Sequence, residues 1–175
     1  MPILEKKIKS LLETKDLSIN KLAFSVGLKS SGVLNRMISG KKSFSEKLIK
    51  KLLPILEVSG EEFESWIIAD KYSKEVIKHA IQLKNDFPYK RKSILTTKID
   101  ALLDERGLSR RAFAKQVIDY EQSSFNQMVV GKRNMSSAVR EKVSVALEIP
   151  QEEILAWIVA DRHGLAVLEK ALKIS

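Results

Sequence analysis

Asn35 and Arg36 stand side by side just after Ser30-Ser31-Gly32, and 91 positions later comes Gln122-Ser123-Ser124, followed by Asn126 and Gln127. An arginine fork can bond guanine at two atoms, and an asparagine or glutamine amide can do the same with adenine. Such groups recognise planar polar edges; they do not by themselves move protons or electrons. Material for catalysis is thin. His79 and His163 do not occupy matching positions, and neither has a second ligand at metal-binding spacing. No HExxH, GxSxG or Gly-rich phosphate loop occurs, and the acid pairs Glu61-Glu62 and Glu152-Glu153 are explained as helix starts. The expectation is no enzyme, no metal and no cofactor.

The elements that must hold these polar residues are short. Ser18 is suited to cap a helix carrying Leu22, Ala23 and Val26 at helical spacing, and Gly27 breaks it. A second helix starts at Ser30 or Ser31, turns Val33 or Leu34 and Met37 or Ile38 inward, and ends at Gly40, where a left-handed residue is needed. The same pattern returns as Ser109, Phe113, Ala114 and Val117, then Phe125 and Met128, then Gly131. Each stretch therefore predicts two helices joined by a tight turn.

An amphipathic helix with Ile3, Leu4, Ile8, Leu11 and Leu12 on one face precedes the first pair. After it, Ser45 starts a fourth helix with Leu48, Leu52, Ile55 and Leu56 inward, which Pro54 should kink or shorten. Gly60-Glu61-Glu62 opens a fifth, with Phe63, Trp66, Ile67 and Ile68, and a sixth runs from about Ser73 to Lys84. Shifting the chain by 91 residues superimposes 3–84 on 94–175 without a gap, with 26 of 82 positions identical. This duplication predicts two domains, 1–84 and 94–175, with a linker at 85–93 where Pro88 breaks the helix.

The 175 residues include no Cys, so thiolate metal sites and disulfides are excluded. No apolar run reaches membrane-spanning length, and the first 12 residues are too charged for a signal peptide, which predicts a soluble cytoplasmic protein. The net charge of +9 favours a polyanionic partner. Residues 1–84 hold 16 Lys and Arg against 10 Asp and Glu, whereas 94–175 hold 12 against 11.

Small Ala23 in the first helix of the pair, the turn, the short second helix and the closing Gly40-Lys41-Lys42 resemble the Cro-like repressor helix-turn-helix family, often called XRE. Ala114 and Gly131-Lys132-Arg133 repeat the resemblance, and the helices over 45–63 and 136–154 fit its continuation. The resemblance implies an all-α chain of two tandem helix-turn-helix bundles, lambda-repressor-like, each with extra C-terminal helices. It further implies a regulator of transcription, by default a repressor, that binds double-stranded DNA in the cytoplasm and sits on the nucleoid when bound.

By the same resemblance the second helix of each pair is the recognition helix and enters a major groove. Ser31, Gly32, Asn35 and Arg36, with Gln122, Ser123, Asn126 and Gln127, are then the base-contacting residues. Gln122 matches the family's base-reading glutamine. Lys29, Lys41, Lys42, Arg111, Lys132 and Arg133 would meet phosphates, as would the helix starts at Ser45 and Ser136. Asp119 and Glu121 in the second copy would place two carboxylates near those phosphates. Lys90, Arg91 and Lys92 in the linker either follow a DNA backbone or reach a minor groove, or else form an ordinary polar connection.

The competing reading is a protein-interaction module, antitoxin-like or an adaptor, whose second copy is a scaffold that has lost DNA contact. A homodimer or a protein partner would then use the helices of Trp66 and Trp157. Those two indoles have a plainer place in the core.

Overall fold

The computed structural model describes residues 1–87 and 93–175, and every element among them is helical. The first series is α1 (Ile3–Thr14), α2 (Ile19–Ser25), α3 (Ser31–Ile38), α4 (Glu46–Leu56), α5 (Gly60–Lys71) and α6 (Lys74–Asp86). The second is α7 (Ile94–Glu105), α8 (Arg110–Ala112) continued by a π-helical turn (Phe113–Val117), α9 (Gln122–Val129), α10 (Ser137–Leu147), α11 (Gln151–Arg162) and α12 (Leu165–Ile174). Each helix of the second series starts 91 residues after its counterpart, so the fold is all-α and built twice on one pattern.

Short polar side chains set most of these starts. The hydroxyls of Ser18, Ser45, Ser59, Ser93, Ser109 and Ser136 each accept from the amide three residues on, satisfying one of the first-turn donors that have no partner inside the helix. The starts of α1 and α7 have a further cap from a distant part of the sequence. Asp70, near the end of α5, accepts from the Ile3 and Leu4 amides at 2.6 and 2.9 Å, and Asp161 of α11 accepts from Ile94 and Leu95 at 2.7 and 2.9 Å. This carboxylate, four residues after the tryptophan in both copies, ties the fifth helix of each repeat to its first.

The described residues form two compact units: Met1–Lys74 with Ala166–Ser175, and Glu75–Leu165. In the first, α1 to α5 enclose Leu4, Ile8, Leu12, Leu22, Ala23, Leu34, Met37, Leu52, Leu56 and Phe63, and Ile174 of α12 packs against that cluster. Lys170 of α12 also reaches Glu61 of α5 at 2.8 Å. In the second, Ile99, Phe113, Ala114, Phe125, Val129, Val143, Leu147 and Trp157 are buried. The units therefore divide the chain differently from the repeats: the sixth helix of each repeat is grouped with the unit made mainly by the other. The apolar stripes of α6 (Val76, Ile77, Ala80, Leu83) and α12 (Val167, Leu168, Ala171) are buried, each within the unit made mainly by the other repeat.

Three local expectations are corrected. Helix α6 continues to Asp86, two residues into the stretch read as linker. Of the two effects expected of Pro54, shortening does not occur, since α4 has 11 residues like α10. The proline lies exposed in the last turn, and the carbonyl four residues back that it leaves unbonded belongs to exposed Lys50, where water can satisfy it.

The third correction concerns the turn inside the second pair. Gly27 has φ +85° and Leu28 N bonds back to Ala23 O at 2.9 Å. The second copy has Ile118 at the corresponding position, and a β-branched residue resists a left-handed conformation. The helix instead widens into the π turn, Ile118 N bonds to Phe113 O at 3.1 Å, and the left-handed residue becomes Asp119 at φ 46°. One residue is thereby taken from the loop into the helix. The crossing also changes, from buried Leu22 and Leu34 to buried Phe113 and Phe125, whose ring centroids lie 5.6 Å apart.

Candidate nucleic-acid interface

On α3, Leu34, Met37 and Ile38 face inward, and the helical period leaves Gly32, Asn35 and Arg36 together on the outer side, all exposed. Ser31, at the edge of that face, is half-buried. Ser30 caps the helix with its backbone only, since its side chain makes no cap bond, and a Cβ at Gly32 would meet only the Ser30 hydroxyl, at 3.8 Å. The first turn of α3 thus presents amides over which no side chain is folded.

Cations surround this face. Lys29 precedes α3; Gly40, at φ +75°, turns the chain back so that Lys42 N bonds to Arg36 O at 3.0 Å, which holds Lys41 and Lys42 beside the helix end. A depression of about 300 Å³ is lined by Asn35, Arg36 and Lys41 together with Lys9 and Glu5 of α1. Among the described residues, none of Lys29, Arg36, Lys41 and Lys42 forms an ion pair. Ser45 is exposed and starts α4, its hydroxyl spent on the Leu48 amide at 3.3 Å.

The corresponding place on α9 is built differently. Ser123 and Gln127 are exposed, whereas Gln122 and Asn126 are half-buried, and the Asn126 Oδ1 atom is buried without a hydrogen-bond partner. The side chain of Asn126 is thus turned partly inward, unlike that of Asn35. Glu121 stands where the first copy has Ser30, and its carboxylate accepts from the Ser123 and Ser124 amides at 2.7 and 2.5 Å. Bonds from the Ser124 amide, then the Ser123 amide, then the Ser124 hydroxyl, with a smaller contribution from the Arg133 charge, hold this carboxyl below its usual pKa. Arg133 donates to Ser124 Oγ at 2.9 Å. Glu121 does not stand free to face a phosphate; it is folded onto its own helix. Lys132 and Arg111 are exposed, and Ser136 caps α10 through the Val139 amide at 3.3 Å.

Comparisons with protein families, curated proteins and solved structures find no match.

The tryptophans take the plainer of their two expected places. Trp66 is 3% exposed and Trp157 1%, so neither indole can meet a partner; both are core, and Trp157 Nε1 is buried without an acceptor. Lys90, Arg91 and Lys92 lie outside the described residues. The sequence reading missed other residues at this surface. Lys9, paired with Glu5 at 2.6 Å, and Lys21 line depressions that include Asn35, which only the packing of α1 beside α3 reveals. Lys51 of α4 donates to Val26 O at 3.2 Å and Lys142 of α10 to Ile118 O at 3.1 Å, each placing a cation on the carbonyl of the C-cap residue before the turn. The identity of Lys51 and Lys142 across the 91-residue shift was the available signal.

Among the described residues no helix is long and apolar enough to cross a membrane.

Proposed function

We propose that this chain is a sequence-specific double-stranded DNA-binding regulator of the Cro-like helix-turn-helix kind, acting in the cytoplasm as a repressor by covering promoter DNA. The observation that carries the reading is the outer face of α3. Gly32, Asn35 and Arg36 are exposed along one side of a helix narrow enough for a major groove, flanked by Lys29, Lys41 and Lys42 with no acidic partners. Arg36 has the fork to take guanine O6 and N7, and Asn35 the amide to take adenine. The lysines and the open first turn of α3 suit phosphate oxygens, which fix register without reading sequence.

The unit holding α3 carries 16 Lys and Arg against 10 Asp and Glu, a field of the sign that draws a duplex in. The test is selection of bound duplexes from a random library by the full chain, followed by affinity measurements over a range of salt. Enrichment of a defined site, with affinity falling steeply as salt rises, is expected. Absence of enrichment, with a salt-tolerant complex formed with a protein instead, would favour the adaptor reading.

A further inference from the structure

We propose that Glu121 makes the two units unequal readers: its carboxylate stands in for a DNA phosphate on α9, so that backbone contact falls to α3. The proposal rests on the DNA-binding reading above and sharpens it. Three independent details of the second unit converge. The carboxylate occupies the Ser123 and Ser124 amides at 2.7 and 2.5 Å, whereas the corresponding amides of Gly32 and Val33 have no side-chain cap. Arg133, the counterpart of unpaired Lys42, is drawn onto Ser124 Oγ at 2.9 Å and so points back at its own recognition helix. Asn126, the counterpart of exposed Asn35, has its Oδ1 atom sealed from solvent.

Charge agrees. The unit Glu75–Leu165 holds 15 Lys and Arg against 12 Asp and Glu, half the excess of the unit that holds α3. A phosphodiester approaching α9 would have to displace a carboxylate that already holds two charge-assisted bonds, and would meet its repulsion while doing so. At α3 the same approach meets no capping side chain.

The test exchanges the two residues in the full chain: Glu121→Ser, Ser30→Glu, and Glu141→Gln as a control that removes one exposed acid from α10. Affinity for a mixed-sequence duplex is measured by fluorescence anisotropy over a salt series. Glu121→Ser should bind about threefold or more tighter than Glu141→Gln, with a salt slope steeper by about 0.9, the increment for one added phosphate contact. Ser30→Glu should weaken binding about fivefold or more with a flatter slope. If Glu121→Ser only matches Glu141→Gln, or Ser30→Glu binds like the parent, the proposal is overturned.

A titration with inorganic phosphate, followed on backbone amide resonances, separates this from the DNA reading and reports folding in the same spectra. The parent should respond at Ser31 and Gly32 but not at Ser123 and Ser124, and Glu121→Ser should respond at both. Equal responses at both helices of the parent would overturn the role given to Glu121. Failure of every variant to bind duplex, with the phosphate pattern as expected, would refute DNA binding alone.

Discussion

Arg36 and Lys41 border the same depression but differ in what they can discriminate. A planar fork distinguishes guanine from other bases, whereas an ammonium meets any phosphate alike. Arg36→Ala is therefore expected to reduce the preference for the selected site over a scrambled one by about 1 to 3 kcal/mol, and Lys41→Ala to weaken both duplexes equally. Equal losses for Arg36→Ala in a competition assay would make it a phosphate contact. At Glu121 the folded pKa lies below the ordinary 4.5. Its contribution to stability is thus fully present above the unfolded value and is lost as pH falls through the folded one. A carboxyl carbon titration should place its midpoint below that of a free glutamate, and Glu121→Gln should lessen the acid loss of α9 helicity; a midpoint at or above 4.5 would contradict the cap. The polar types at Asn35, Arg36 and Glu121 were legible in the sequence. That Glu121 bends onto its own helix was not, because whether a carboxylate faces outward or caps a helix depends on where that helix begins, to the residue.

Helix starts were the most legible elements, since a serine followed by an apolar period has a local physical cause: Ser18, Ser45 and Ser109 each cap the helix expected of them. The π turn was not legible. It is a compromise between Ile118, which resists the left-handed state, and a loop that must still change direction; only the folded chain reveals that Asp119 takes the strained place. A related strain gives a prediction. Asp16 ends α1 at φ 48°, and its counterpart Gly107 holds the same place at φ 64°. Asp16→Gly should stabilise the protein by up to about 1 kcal/mol and Gly107→Asp should destabilise it by a similar amount. Chemical denaturation would check both, and a destabilised Asp16→Gly variant would mean that the Asp16 side chain contributes more than its backbone costs.

For the molecule as a whole, duplication and the charge excess of the first repeat could be read from sequence, but the membership of α6 and α12 could not. An apolar stripe announces that a helix will be covered without naming the cover. Removing residues 165–175 should consequently lower hydrogen-exchange protection in α1 to α5, at the far end of the sequence, because Ile174 and Lys170 leave that unit. Loss confined to α7 to α11 would contradict the grouping. The same arrangement bears on how the protein is made. Lys74 is produced by the ribosome 92 residues before Ala166, an interval of roughly 5 to 18 s at ordinary translation speeds. Throughout that time the nascent first unit waits with part of its apolar surface uncovered, and it is completed only after the whole of the second has emerged. A chain released between Leu165 and Ala166 would carry every residue of the second unit and lack the helix that completes the first.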